Sequence, residues 1–234
     1  MHSTTKNLAH WQPRAVPVPV TLAGGWAELQ PLSAVQHTNA LWQAVMGHDE
    51  VWDWLGDGPY AREDDLAAAL LVKENGAAAR FFAILPKDAS GVAGAAAGYA
   101  SLMRIDAANG VIEVGNVLFS PRLQRTPAAT EAMYLMARYA FEELGYRRYE
   151  WKCNALNLPS RRAALRLGFT FEGVFRQHMV IKGQNRDTAW YSMLDSEWPE
   201  RKAAFEAWLA AENFDADGRQ RRTLGSFSHG ETRG

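Results

Sequence analysis

One cysteine, Cys153, is the whole thiol content of this 234-residue chain. It forms no internal disulfide and founds no multi-cysteine metal site, so no metal is expected, and this thiol economy fits a reducing cytosol. Excess charge is missing as well: 25 Lys and Arg stand against 26 Asp and Glu, a formal net charge of −1. Nucleic-acid affinity rests on clustered cations, and here the only basic cluster, Arg219 to Arg222, lies in a polar tail, which argues against nucleic acid as a partner. The longest weakly polar stretch, Ser90 to Met103, is too short and too rich in Gly and Ala to cross a bilayer. No basic, apolar and small-residue pattern marks a secretory signal. No membrane partner is expected, and the cytoplasm is the expected location. The sequence shows no internal repeat, and no second core is expected. What the chain has is apolar mass, 47% hydrophobic residues with nine Trp, enough for the core of one domain.

The organisation reads as an arm, a domain and a tail. Residues 1–24, with "RAVPVPV", carry prolines spaced to resist both helix and central strand and predict an extended arm. Residues 25–212 are the domain. Residues 213–234, almost free of large apolar side chains, predict a polar, flexible tail. Within the domain the pattern predicts a strand near Trp26 to Gln30, then helices over Ala34 to Met46, capped by Ser33, and over Arg62 to Lys73. Three strands, Arg80 to Leu85, Ala95 to Ile105 and Val111 to Phe119, are separated by "PKDASG" and "DAANG" and read as an antiparallel meander. A helix follows with apolar residues at three- and four-residue steps from Ala129 to Leu144, stopping near Gly145. Arg148 to Cys153 alternates as a strand with one buried face. "LPSRRAALRLG" is a short helix, Phe169 to Ile181 and Arg186 to Leu194 are a last strand pair joined through "KGQNR", and Glu197 to Ala211 is a terminal helix.

The front of the helix that begins in "LQRTPAATEAMYLM" has a definite chemistry. Thr126 suits the N-cap and Pro127 the first helical position, where no N–H is needed. Small residues follow, Ala128, Ala129 and Thr130, so that an anion such as a phosphate can approach the first-turn amides. A well-capped surface helix without a ligand explains the same residues equally well.

Three segments, "FSPRLQRTPAATEAMYLM", "NALNLPSRRAALRLGF" and "FEGVFRQHMVIKGQNRDTAWYSM", together with the element order, resemble the GNAT superfamily of acyl-CoA-dependent N-acyltransferases. Within it they resemble the RimJ/RimL-like ribosomal-protein-alanine acetyltransferases, over roughly Trp26 to Trp198. The resemblance implies an α/β (α+β) fold with a mixed, mostly antiparallel central sheet flanked by helices. It also implies acetyl-CoA as cosubstrate and an amine as acceptor, small molecule or protein N-terminus, and leaves a homodimer open. The family's Q/R-x-x-G-x-G/A phosphate loop reads here Gln124-Arg125-Thr126-Pro127-Ala128-Ala129, with Pro at the first glycine. That substitution removes one amide donor, leaving Arg125, the Thr126 hydroxyl and the amides of Ala128, Ala129 and Thr130 for the coenzyme A pyrophosphate.

By the same resemblance Leu118, Phe119 and Ser120 lie where the strand splays at the thioester, and freed backbone groups there polarise its carbonyl. Glu113, on that strand, is the first general-base candidate, or else an exposed strand glutamate. His178 is the second, or else a structural histidine. Ser160, the serine of N-x-x-S, would protonate the departing thiolate, and Asn157 would bond the pantetheine arm or cap the short helix. Cys153, on an apolar strand face, reads as buried filler, so that attack is direct rather than through an acyl-enzyme. The link "GHDEVWDWLGDGPYAREDD" supplies Trp52, Trp54 and Tyr60 as acceptor walls. Its acids Asp49, Glu50, Asp53 and Asp57 favour a cationic amine. Asp187 would hold the acceptor's ammonium, or pair with Arg176 or Arg186. The alternative of another class is a catalytically silent acyl-CoA-binding module.

Overall fold

The computed structural model describes residues 8–228. In chain order the elements are β1 (Leu22–Ala23), β2 (Ala27–Pro31), α1 (Ala34–Val45), α2 (Glu63–Asn75), β3 (Ala79–Pro86), β4 (Gly98–Asp106) and β5 (Val111–Phe119). They continue with α3 (Pro127–Arg138), β6 (Arg148–Asn154), α4 (Leu158–Arg166), β7 (Thr170–Ile181), β8 (Gln184–Leu194), α5 (Trp198–Leu209) and the single turn α6 (Gly225–Ser228). The eight strands form one mixed, mostly antiparallel sheet in the order β1-β2-β3-β4-β5-β6-β8-β7. This is the fold class that the sequence predicts.

Against the expectation of no second core, alternation along the strands divides the interior into two, one on each face of the sheet. On β3, Phe82 and Ile84 join α3 and α5 in one cluster, while Phe81, Ala83 and Leu85 join Leu41 of α1 and Leu66 and Leu70 of α2 in the other. Successive strand residues point to opposite faces, so one run of apolar residues serves both layers. The predicted meander is β2 to β5, all antiparallel. The one parallel pair is β5 with β6, and α3 makes the crossover between them.

Several boundaries differ from the expectations. The arm contributes β1, because Leu22 pairs with Leu29 across a Gly24–Gly25 turn. Glu131 of α3 holds this turn by accepting the N–H groups of Gly25 at 2.9 Å, Trp26 at 2.6 Å and Ala27 at 2.7 Å. The helix predicted to run to Leu144 is α-helical only to Arg138 and continues as one π turn, Tyr139–Glu143. The β7–β8 connection is tighter than "KGQNR" suggests: Lys182 (φ +48°) and Gly183 (φ +75°) make a two-residue turn of the kind that matches strand twist, so β8 starts two residues earlier.

The tail reading is corrected for the described part of it. Residues 213–228 fold back on α5: Leu224 is only 2% exposed, Phe214 packs against Trp26 and Trp208 at ring-centroid distances of 4.9 and 5.2 Å, and the Trp208 indole donates to Gln220 at 2.8 Å. A few apolar residues placed beside an aromatic shelf offset the ordering entropy that composition alone predicts to dominate. Residues 229–234 lie outside the described part. No helix among the described residues is long and apolar enough to cross a membrane.

Candidate active site

The central feature is an opening in the sheet. Pairing between β5 and β6 covers only Val111–Val114 against Arg148–Trp151. Beyond it β5 continues to Phe119 and β6 to Asn154, so residues 115–119 have no ladder partner on that side. A bulge helps the strands part. Leu118 lies opposite Tyr99 but Gly115 opposite Ser101, which leaves β5 one residue longer than β4, and Asn116 takes φ +49°. Bulges bend the strand that carries the extra residue. A Cβ at Gly115 would stand 2.6 Å from Met103 Sδ, so a side chain there would have to displace that thioether. Of the residues expected at the thioester, Leu118 sends its side chain into the second core. The Ser120 amide is already bonded to the Ala97 carbonyl at 3.1 Å. Gly115, Asn116 and Val117 are therefore added to the site; a Gly-Asn pair inside an apolar strand run is the signal that would have found them.

At the front of α3 the expected cap forms. The Thr126 hydroxyl accepts the Ala129 N–H at 3.2 Å, and the Thr126 carbonyl accepts the Thr130 N–H at 3.4 Å. Two of the three amides expected to face a phosphate are thus engaged within the chain, and the Thr130 hydroxyl accepts from Arg166 at 3.1 Å. Ala128 retains the first-turn N–H without a helical acceptor. Arg125, exposed and held at φ +62°, projects from the same turn, and Gln124 bonds the Phe119 carbonyl at 2.9 Å. A pyrophosphate therefore finds the Ala128 amide, the Arg125 guanidinium and the helix dipole, a smaller donor set than the sequence suggests.

Trp151 and Cys153 project from one face of β6, Glu150 and Lys152 from the other. On the first face the Trp151 indole donates to Ser160 Oγ at 3.0 Å. Because an indole N–H only donates, the Ser160 proton remains available to donate in turn, and the buried Cys153 thiol lies beside it. Burial pushes that thiol's pKa up, with Ser160 opposing, so Cys153 is a poor nucleophile at neutral pH. Asn157 caps α4 by accepting the Ser160 N–H at 3.0 Å, which commits its oxygen to the helix.

On the second face lies a buried charge cluster. Glu113, 4% exposed, has its Oε2 2.8 Å from Lys152 Nζ and 3.4 Å from Arg104 Nε. Lys152 also pairs with Glu150 at 2.6 Å and sits 3.8 Å over the Trp190 ring. Burial raises the Glu113 pKa above its ordinary value, and Lys152 and then Arg104 pull against it. Its Oε1 lies 3.3 Å from where a Gly115 side chain would begin, facing the opening. His178 comes to the same place: its ring packs edge-on against Phe175, its Nδ1 meets Thr188 Oγ1 at 3.0 Å, and desolvation followed by Arg104, Arg186 and Lys152 lowers its pKa. The two base candidates thus share one set of cations. His178 lies in a second irregular stretch, where the β7–β8 register shifts between Phe175 and Met179. Asp187 Oδ1 braces that stretch, accepting from the Gln177 N–H at 2.7 Å and from Asn185 at 3.0 Å, and among the described residues Asp187 makes no arginine ion pair.

The link after α1 divides. Trp52 is buried in the second core, with Tyr60 edge-on at 5.1 Å, and both line a cavity of about 400 Å³ with Trp42, Met46 and Asp49. Asp57 is taken by Lys73 and Tyr60, and Glu50 by His48 at 3.2 Å. Trp54 and Asp53 line a separate cavity of about 150 Å³, with Asn154, Lys182 and Arg186. Lys182 fastens the β7–β8 turn to the link through the Trp52 carbonyl at 3.1 Å. The acid-rich link is therefore less free to receive cations than its composition suggests. Among the described residues no group of three or more His, Cys, Asp or Glu is placed to hold a metal ion.

Residues 28–170 match the family model described as an acetyltransferase (GNAT) domain. A solved GCN5-related N-acetyltransferase from Brucella melitensis is 48% identical, covers 94% of this chain and 98% of its own, and superposes with a TM-score of 0.89. A Bacillus subtilis (strain 168) protein named as the N-acetyltransferase YnaD is 28% identical over 160 residues, 67% of this chain and 89% of that protein. A second protein of that organism, with the provisional name ribosomal N-acetyltransferase YdaF, is 31% identical over 109 residues, 47% of this chain and 59% of that protein.

Proposed function

Because the chain belongs to the GNAT acetyltransferase family and is an N-acetyltransferase, we propose that it passes acetyl from acetyl-CoA directly to a primary amine in a ternary complex. The observation that carries this reading is the β5–β6 opening, with a thiol-side hydroxyl, Ser160, on one face of β6 and a carboxylate, Glu113, on the other. Acetyl-CoA supplies the activated acyl group. Arg125 and the Ala128 amide hold its pyrophosphate, and the unpaired backbone of residues 115–119 holds the pantetheine arm and stabilises charge developing on the thioester oxygen. Glu113 Oε1 takes the amine's proton, directly or through water, and the Ser160 hydroxyl gives one to the departing sulfur. Lys152 keeps Glu113 in place without competing for Oε1.

A protein N-terminal α-amine is the acceptor that asks least of such a base, since its reference pKa of roughly 7.7–8.0 leaves it partly neutral where a lysine near 10.4 is almost wholly charged. The name of YdaF supports a ribosomal protein terminus as one such acceptor. Thiol release from acetyl-CoA, measured with N-terminal peptides and small amines, tests the reading. Amine-dependent release with no burst of acetyl-enzyme is expected. Binding of acetyl-CoA without release on any amine would favour a silent acyl-CoA-binding module.

A further inference from the structure

Arg186 of β8 is a guanidinium that the described residues leave unanswered, on a strand beside the β6 side of the opening. Its Nε is buried with no hydrogen-bond partner, and among the described residues its guanidinium makes no hydrogen bond or ion pair. The neighbouring cations are matched: Lys152 by Glu113 and Glu150, Arg148 by Glu150 and Glu172, Arg104 by Glu113. A buried donor left open costs stability, and nearby Asp187 is occupied in the hairpin. Trp190, on the same face of β8 by alternation, also buries an indole N–H with no acceptor. Both are donors, and the one acceptor of the cluster without a hydrogen bond, Glu113 Oε2, already stands in ion pairs with Lys152 and Arg104, so the partner that Arg186 and Trp190 lack is an acceptor of hydrogen bonds. Arg186 also lines the cavity of about 150 Å³ between the link and the hairpin. Of its walls only Asp53 carries negative charge, against Lys182 and Arg186. Desolvation and then Arg104 press the Arg186 pKa downward while Glu113 acts the other way, a field that an incoming anion would relieve.

We propose that the acceptor is an amine bearing a carboxylate, and that Arg186 receives this carboxylate in the cavity beside Trp54 while the amine lies toward Glu113. The proposal rests on the acetyl-transfer reading above and adds the class of acceptor. The carboxylate has two sources, the α-carboxylate of a free amino acid or an Asp or Glu side chain near a peptide's N-terminus. Arg186 sets specificity and takes no part in proton transfer.

Matched acceptors decide it: free amino acids against their amides, and N-terminal peptides with Asp or Glu at the second position against the same peptides with Asn or Gln. With the native protein, kcat/KM should favour the carboxylate member of one set by about tenfold, as expected of a charge-assisted bond in a partly buried site. Which set responds identifies the source. Arg186→Gln should bring that ratio close to one, and Arg186→Lys, which keeps the charge but not the fork, should retain part of it. Calorimetry of the same pairs on the CoA-loaded protein gives the preference without turnover. Equal binding of carboxylate and amide members, or a preference unchanged in Arg186→Gln, overturns the proposal and leaves acetyl transfer standing. Failure of every amine to release thiol counts against acetyl transfer, while the calorimetric ratio still decides the Arg186 pairing.

Discussion

Glu113 and His178 stand in one electrostatic neighbourhood, and that neighbourhood moves them in opposite directions. Burial lifts the Glu113 carboxyl above its ordinary 4.5, whereas desolvation and three cations lower His178 from 6.5. The two ionisations therefore approach one another, and the position of an acid limb alone does not name the base. A base must be deprotonated to act, so kcat/KM rises with pH through its pKa. We expect Glu113→Gln to lower kcat/KM by about 10²–10⁴, the usual range for losing a general base, and to abolish the acid limb. His178→Gln should keep the limb and change the rate by less. Steady-state profiles with acceptors of different amine pKa check this, because a limb that follows the acceptor reports the amine instead. The reverse pattern would make His178 the base. Ser160 gives a second test at this scale. Its proton is free to donate because Trp151 fills its acceptor role, so Ser160→Ala should lower kcat while acetyl-CoA affinity by calorimetry changes less than threefold or so, the mark of an interaction made in the transition state. Equal losses in both would reassign it as a cosubstrate contact.

Among the elements, the turn into α3 combines a binding role with a backbone cost. Arg125 sits at φ +62°, a conformation that costs an L-residue roughly 1–2 kcal/mol and glycine little. Arg125→Gly should therefore leave urea stability unchanged or raise it by up to about 1 kcal/mol. It should at the same time weaken acetyl-CoA binding about tenfold by removing a charge-assisted contact. Opposite signs in the two measurements separate a phosphate contact from a structural arginine, and unaltered affinity would move the pyrophosphate elsewhere. The capping of this helix was legible because Thr126 and Pro127 act locally. That the cap takes the Ala129 and Thr130 amides follows from the same local rule; what the sequence could not show is the distant partner of the Thr130 hydroxyl, which accepts from Arg166 of α4. Asp187 shows the same limit: its sequence neighbours offered arginines, but a bulge set by pairing with β8 gave it a backbone amide.

For the whole molecule, the C-terminal segment is part of the structure that supports α5. Leu224, 2% exposed, packs into the larger core, and Leu224→Ala should cost about 2–4 kcal/mol in urea unfolding, in the range of buried leucine truncations. The turnover of the folded protein should not change. A loss below about 0.5 kcal/mol, typical of a surface site, would mean that the segment is not docked in solution. The sequence by itself determined the order of strands and helices, the capped front of α3, the alternating faces of β6 and the resemblance to an acetyltransferase, because each rests on periodicity or on contacts within a few residues. Tertiary structure alone decided where β5 and β6 part, which acids of the link remain unpaired, and that Arg104, Glu113, Lys152, His178 and Arg186 share one site. These depend on which distant strands pair and in what register, and a slip of one residue in any of the five strands would send that strand's side chain to the opposite face of the sheet and out of the site.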